Sequence, residues 1–153
     1  MEHQAFSLLR TPRGAVLLVC HPDNGGLWQL PGGNILPGEA PHAAQRRTLV
    51  DQTGLTNTAR DLLVCDYTPA VADILPEALA MVWDAGTVPD PATLPPALAH
   101  PARLDVQFVI PGQIAEFAHQ QETQRIRSAL AALTAPSTAP RYRFRGADPE
   151  PES

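Results

Sequence analysis

The chain is 153 residues long, carries a formal net charge of -5 and draws 44% of its residues from the hydrophobic set. That length suits one domain with an ordinary core, and the acidic balance excludes a general nucleic-acid-binding role, which needs a positive surface for the phosphate backbone. No apolar run is long enough to span a bilayer. The first residues show no basic segment followed by an apolar stretch, so no signal peptide is expected and the cytoplasm is the default location.

Residues 5–10 and 14–21 read as two strands joined by a turn at Thr11, Pro12 and Arg13. The second contains AVLLVC, whose unbroken apolarity predicts a strand buried on both faces. A turn-rich loop covers residues 22–26, and residues 27–30 form a short strand carrying Trp28. The next stretch, LPGGNILPGEAPHAAQRRTLVDQTGL, reads as loop, helix and glycine stop. Gly32 and Gly33 let backbone come close to a ligand. A helix start after such a loop offers unpaired N–H groups to an anion. Pro41 suits a first helical turn, where a missing N–H costs little, and Gly54 suits the residue that ends a helix. The spacing predicts a helix over about Pro41–Thr53.

Beyond it, Leu62–Thr68 and residues 78–83 read as strands around a loop at 69–77. The second of these strands is expected to end at Asp84, Ala85 and Gly86. Residues 88–101, dominated by Pro and Ala, read as a surface loop, and residues 104–110 as the last strand. Pro111 and Gly112 open a helical region in which Ile126, Leu130 and Leu133 recur at the spacing of an amphipathic helix. Residues 1–134 therefore read as a single domain and 135–153 as a C-terminal tail. The tail's RYRFR run suits an extra edge strand, a surface for an anion, or a solvated end. Cys20 and Cys65 fall in apolar strands and read as buried thiols rather than a disulfide.

The stretch from Gly33 to Leu55 resembles the signature of the Nudix hydrolase superfamily. Gly33, Glu39, Arg47, Leu49, Gly54 and Leu55 stand at that signature's intervals. A match at so many fixed positions is far more specific than a lone glycine motif. The departures are in its acids. Thr48 stands where the family has Glu after the Arg, and Asp51 and Gln52 stand for its Glu-Glu pair. Leu36 and Pro37 stand where an acid often precedes Gly38.

The resemblance implies an α+β fold, a mixed sheet between helices. It implies hydrolysis of a nucleoside diphosphate linked to another group, with magnesium or manganese held on the signature helix. Helical spacing puts positions 48, 51 and 52 on one face, but one carboxylate remains where the family has three. Neutral oxygens are weaker ligands for a hard cation. Asp51 is thus the expected metal ligand, with Thr48 and Gln52 beside it in the catalytic set. The ion is expected to bind weakly and to depend on substrate phosphates. Gly33, Glu39, Arg47 and Gly54 are assigned structural roles, with a Glu39–Arg47 pair tying loop to helix. An Arg47–Asp51 pair is the competing arrangement. Gly32, Gly33 and Trp28 are the expected substrate contacts, Trp28 by core packing or by stacking on a base.

Outside the signature, Asp73 and Glu77 lie in a loop where some family members carry a base, although exposed loop acids are the simpler reading. His42 reads as a surface residue, and His21, His100 and His119 form no ligand spacing. Three functions fit the pattern. One is a pyrophosphate-cleaving hydrolase with a metal site of reduced charge. A second is a Nudix-fold module that binds a nucleotide or metabolite without turnover. The third is a repurposed enzyme using Thr48 and Gln52 as hydrogen-bond partners. The partner is a small phosphorylated molecule, with neither nucleic acid nor membrane; a homodimer is an alternative to a monomer.

Overall fold

The computed structural model describes residues 1–23, 25–88, 102–134 and 146, and the backbone of 141–144. Strands β1 (Glu2–Arg10), β2 (Val16–Cys20), β3 (Trp28–Gln29) and β4 (Gly32–Asn34) come first, followed by helix α1 (Pro41–Thr53). Then come β5 (Leu62–Thr68), β6 (Ala78–Thr87) and β7 (Asp105–Val109). A 3₁₀ turn at Pro111–Gln113 leads into α2 (Ile114–Phe117), α3 (Gln120–Thr134) and β8 (Arg141–Phe144). One mixed sheet takes the order β3-β2-β1-β6-β5-β8, with β4 also on β1 and β7 also on β2. The pairs β1–β6 and β5–β8 are parallel.

Alternation along the strands divides the core in two. Phe6, Leu8, Val16 and Leu18 pack with Ile114, Ile126 and Ala129 of α2 and α3. Leu9 and Leu17 point the other way and pack with Leu49 of α1 and Leu55. The sheet therefore lies between α1 on one face and α2 and α3 on the other, an α+β layered domain. The strand β2 is buried on both faces, as its apolar run predicts: Val16, Leu17, Leu18 and Val19 are all sealed from solvent.

The inner face of α1 is largely polar: Gln45, Thr48, Gln52 and Thr53 are buried beside Ala44 and Leu49. Leu49 anchors it, worth roughly 1.5–3 kcal/mol by burial, and hydrogen bonds hold the polar groups. Gln45 Nε2 donates to Ser7 Oγ of β1 at 2.7 Å, and Thr53 Oγ1 donates to the Leu49 carbonyl. Pro41 is in the first turn, and Gly54 ends the helix at φ 80°, its N–H on the Val50 carbonyl.

The strand expected to stop near Trp83 continues to Thr87. The sequence Asp84-Ala85-Gly86 looks like a turn, but the Asp84 carboxylate accepts the Gly86 N–H at 2.9 Å. The chain bends there without leaving β1, with which the register shifts between Leu8 and Arg10. The segment 141–144 forms β8 beside β5. The proposed surface loop at 88–101 falls outside the described residues except for Val88, which is buried. Cys20 and Cys65 are both free thiols, and each is only partly buried where full burial was expected. Burial pushes the Cys65 thiol above its usual pKa.

Candidate functional site

The loop into β4 is fixed from α1. Gln52 Oε1 accepts the Gly32 N–H at 3.0 Å, and Gln52 Nε2 donates to the Gly32 carbonyl at 2.9 Å. One side-chain amide thus satisfies both backbone groups of a single residue, as a strand neighbour would. Gly32 also packs against β1 so closely that a Cβ would overlap the Ala5 carbonyl and Phe6. That close approach is the physical demand for glycine here.

Thr48 is turned inward too. Its hydroxyl donates to the Ala44 carbonyl at 2.8 Å and lies 3.1 Å from the Gln45 carbonyl, the back-bonding available to Thr inside a helix. Of the three positions expected to share one helix face, 52 therefore bonds to the loop and 48 to the helix backbone. Asp51 is partly exposed, with no hydrogen bond or salt bridge among the described residues. In this structure the neutral side chains of Thr48 and Gln52 bond to backbone, while among the described residues the Asp51 carboxylate does not.

Arg47 pairs with Glu39 rather than Asp51. Its Nε and Nη2 donate to the two Glu39 oxygens at 2.8 and 3.0 Å, and Nη2 also reaches the Asn34 carbonyl at 3.0 Å. Glu39 accepts the Leu36 N–H as well, so the pair closes the loop between β4 and α1. The Arg47 hydrogen bond holds the Glu39 carboxyl below its usual pKa. Glu39 chiefly raises Arg47, and Asp51 adds a weaker field in the same direction.

A cleft of about 450 Å³ opens beside this loop, with Gly32, Gly33 and Asn34 on one wall and Gln4 and Phe6 of β1 at its base. His21, Asp23, Gln29, Glu122 and Arg125 complete it. A second recess of about 200 Å³ shares Gln29, Glu122 and Arg125 with the cleft and adds Trp28, His119 and Gln121. Trp28 packs on the core, the first of the two readings offered for it, and its partly exposed ring also lines this recess. Burial lowers the His21 pKa against the opposing field of Asp23, which favours the neutral imidazole near pH 7.

Asp51, Thr48 and Gln52 do not line the cleft. Nor does the first turn of α1, where an anion was expected. His42 and Ala43 face a separate hollow with Arg46, Arg60 and Trp83. Asp73 is exposed, and Glu77 accepts a hydrogen bond from the Tyr67 hydroxyl at 2.8 Å. His100 falls outside the described residues.

Sequence reasoning missed the cleft's charged floor. Asp66 on β5 is sealed from solvent and accepts Arg125 Nε at 2.8 Å. Arg125 Nη1 reaches Glu122 at 2.9 Å, and its guanidinium carbon lies 5.5 Å from the Phe6 ring centre. The available signal was Asp66 itself, an acid inside the apolar strand LLVCDYT. A buried charge demands a partner.

A mixed sheet between these helices, with the glycine loop clamped to α1, defines the class, and the sequence confirms it. The sequence model of the NUDIX domain matches residues 1–125, and the chain belongs to that family. No curated protein sequence matches it. Among solved structures, the MutT protein of Methanosarcina mazei Go1 superposes with a TM-score of 0.70 at 19% identity, over 88% of this chain and 96% of that one. The NUDIX domain of Shewanella oneidensis NrtR, in complex with ADP ribose, gives 0.66 at 22% identity, over 86% and 88%. A C. elegans Ap4A hydrolase gives 0.64 at 18% identity, over 87% and 98%. These likenesses show the shared fold.

Nudix hydrolases generally use divalent metal ions. Among the described residues, no group of three or more His, Cys, Asp or Glu side chains is placed to hold one. With Thr48 and Gln52 committed to backbone, Asp51 is the one acid left at the three signature positions, and the donors there do not fit several resident ions. Among the described residues, no helix is long and apolar enough to cross a membrane.

Proposed function

We propose that this protein is a pyrophosphatase-type Nudix hydrolase acting on a nucleoside diphosphate derivative, with a single magnesium or manganese ion that arrives with the substrate. Family membership supports the pyrophosphatase type. The observation that carries the single-ion form is the uncommitted Asp51 carboxylate, which lies outside the cleft lining but on the helix that clamps its Gly32 wall, beside two signature positions whose side chains are bonded inward. Magnesium is often held by one or two carboxylates with phosphates and waters filling its shell. When bound, such an ion polarises phosphoryl oxygens and activates water.

The chain's own residues supply binding and shape. Gly32 is held rigidly by Gln52 and brings backbone to the cleft wall. The Glu39–Arg47 pair fixes the adjoining loop. Amides of Gln4 and Asn34 offer hydrogen bonds to a neutral polar portion of the ligand, and Trp28 offers a ring on which a base stacks. Ligands of the required kind occur among the fold's neighbours: the NrtR domain holds ADP ribose, and another neighbour is described as an Ap4A hydrolase.

A second reading, recognition without turnover, is favoured by the Gln52 clamp, which uses a signature ligand position purely to brace the loop. Product release from a panel of nucleotide sugars, dinucleotides and nucleoside triphosphates separates the two readings. Each compound is assayed with magnesium, manganese or chelator, beside a binding titration. Metal-dependent release supports the hydrolase; saturable binding that ignores metal and yields no product leaves the binding module.

A further inference from the structure

An unbroken chain of hydrogen bonds crosses the molecule beneath the cleft. It starts at Gly146, beyond α3, whose N–H donates to Asp66 Oδ1 at 2.7 Å. Asp66 Oδ2 accepts Arg125 Nε at 2.8 Å, and Arg125 Nη1 donates to Glu122 Oε2 at 2.9 Å. Glu122 Oε1 then accepts the Leu30 N–H at 3.2 Å. Leu30 lies two residues before Gly32, on the loop that forms the cleft wall. Asp66 is 0% exposed and Arg125 is 8% exposed.

We propose that this chain of hydrogen bonds makes the Gly146 turn part of the site, with Asp66, Arg125 and Glu122 as positioning residues that set Leu30, where the chain enters the Gly32–Gly33 loop. Two acids and one Arg, taken out of water, are an inefficient way to stabilise a core, since desolvation offsets most of their attraction. Their distinctive property is direction. Each carboxylate uses both oxygens on different elements: Asp66 joins the Gly146 turn to α3, and Glu122 joins α3 to the loop. Arg125 is planar and donates on two edges, so moving one carboxylate turns the other. Gly146 is itself tightly seated at φ 84°, where a Cβ would lie 2.7 Å from the Gln121 carbonyl and 3.2 Å from Gln124 Cβ. It lies beyond residues 1–125, the part shared with the family's sequence model. The proposal rests on the cleft being the ligand site only in its consequence for binding; the mechanical coupling stands apart from it.

Amide hydrogen exchange on the full chain tests that coupling, comparing wild type with Gly146→Ala. The Gly32 amide is an internal control, because Gln52 of α1 holds it independently of the relay. We expect the Leu30 amide to exchange faster by about tenfold or more, while Gly32 and the core amide of Leu18 change far less. Arg125→Lys, which keeps the charge but loses the two-edged fork, gives the same pattern, and it stands in if Gly146→Ala does not fold. Equal acceleration at Leu30, Gly32 and Leu18, or an unchanged Leu30 in a folded variant, would overturn the proposal. ADP-ribose titration of the same variants reads the consequence, a weaker Kd in step with Leu30 exposure. If wild type does not bind ADP-ribose while the exchange pattern holds, the reading of the ligand fails and the relay stands.

Discussion

Replacing Gln52 by Glu restores the acid that the Nudix signature carries at this position, yet the structure predicts that it damages the protein. Gln52 is 8% exposed and makes two bonds to Gly32, accepting at 3.0 Å and donating at 2.9 Å. A carboxylate keeps the first and loses the second, and it sets an anion against the Gly32 carbonyl. One lost bond and one buried, unsatisfied acceptor amount to about 3 kcal/mol. At this chain length that lowers Tm by roughly 6–12 °C. The penalty depends on pH. The protonated carboxyl donates to the Gly32 carbonyl, so its pKa in the folded state is raised above the unfolded value of about 4.3. A group raised in this way contributes its stability below the unfolded pKa and loses it as pH rises through the folded pKa. Denaturant melts of wild type and Gln52→Glu at pH 7 and pH 5 should therefore show a gap that narrows at the lower pH. A variant as stable as wild type at pH 7, or a gap indifferent to pH, would refute the clamp.

Three further outcomes follow from the same geometry. Arg125→Ala leaves Asp66 buried with only the Gly146 N–H, and equilibrium unfolding should record a loss of about 3–5 kcal/mol. Glu39→Gln should flatten the acid side of the stability profile. The Glu39 pKa is depressed, so its contribution is present above the unfolded pKa of about 4.3 and is lost as pH falls through the folded value; melts between pH 6 and 3 read the difference. Gly54→Ala forces a Cβ into a left-handed residue and to 3.1 Å from Arg103 Nη1, which itself donates to the Val50 carbonyl. A loss of about 1–2 kcal/mol is expected from the backbone alone, measured as a shift in denaturant midpoint at constant slope.

Where local chemistry decided the outcome, the sequence was a good guide. Pro41 and Gly54 bracket α1 at its observed ends, and the Glu39–Arg47 pair is the tie that the family resemblance implies. The unbroken apolar run of β2 gave its double burial. The site was less legible because its bonds are non-local. Helical periodicity places positions 48, 51 and 52 together but does not say that Gln52 finds Gly32, 20 residues away. Asp66 and Arg125 stand 59 residues apart, and only the sheet order β1-β6-β5 with α3 on its face brings them under Phe6. The end of β6 was misread for a related reason: Asp-Ala-Gly favours a turn in isolation, but pairing with β1 turned it into an irregular stretch of strand.

The most direct test of the proposed hydrolase is Asp51→Ala, assayed for magnesium-dependent product release on whichever member of the nucleotide panel the wild type cleaves. Asp51 is partly exposed and bonded to nothing among the described residues, so the variant should melt like wild type. The account predicts that metal-dependent release disappears while stability is unchanged. Release that continues at the wild-type rate with the same magnesium dependence would contradict it.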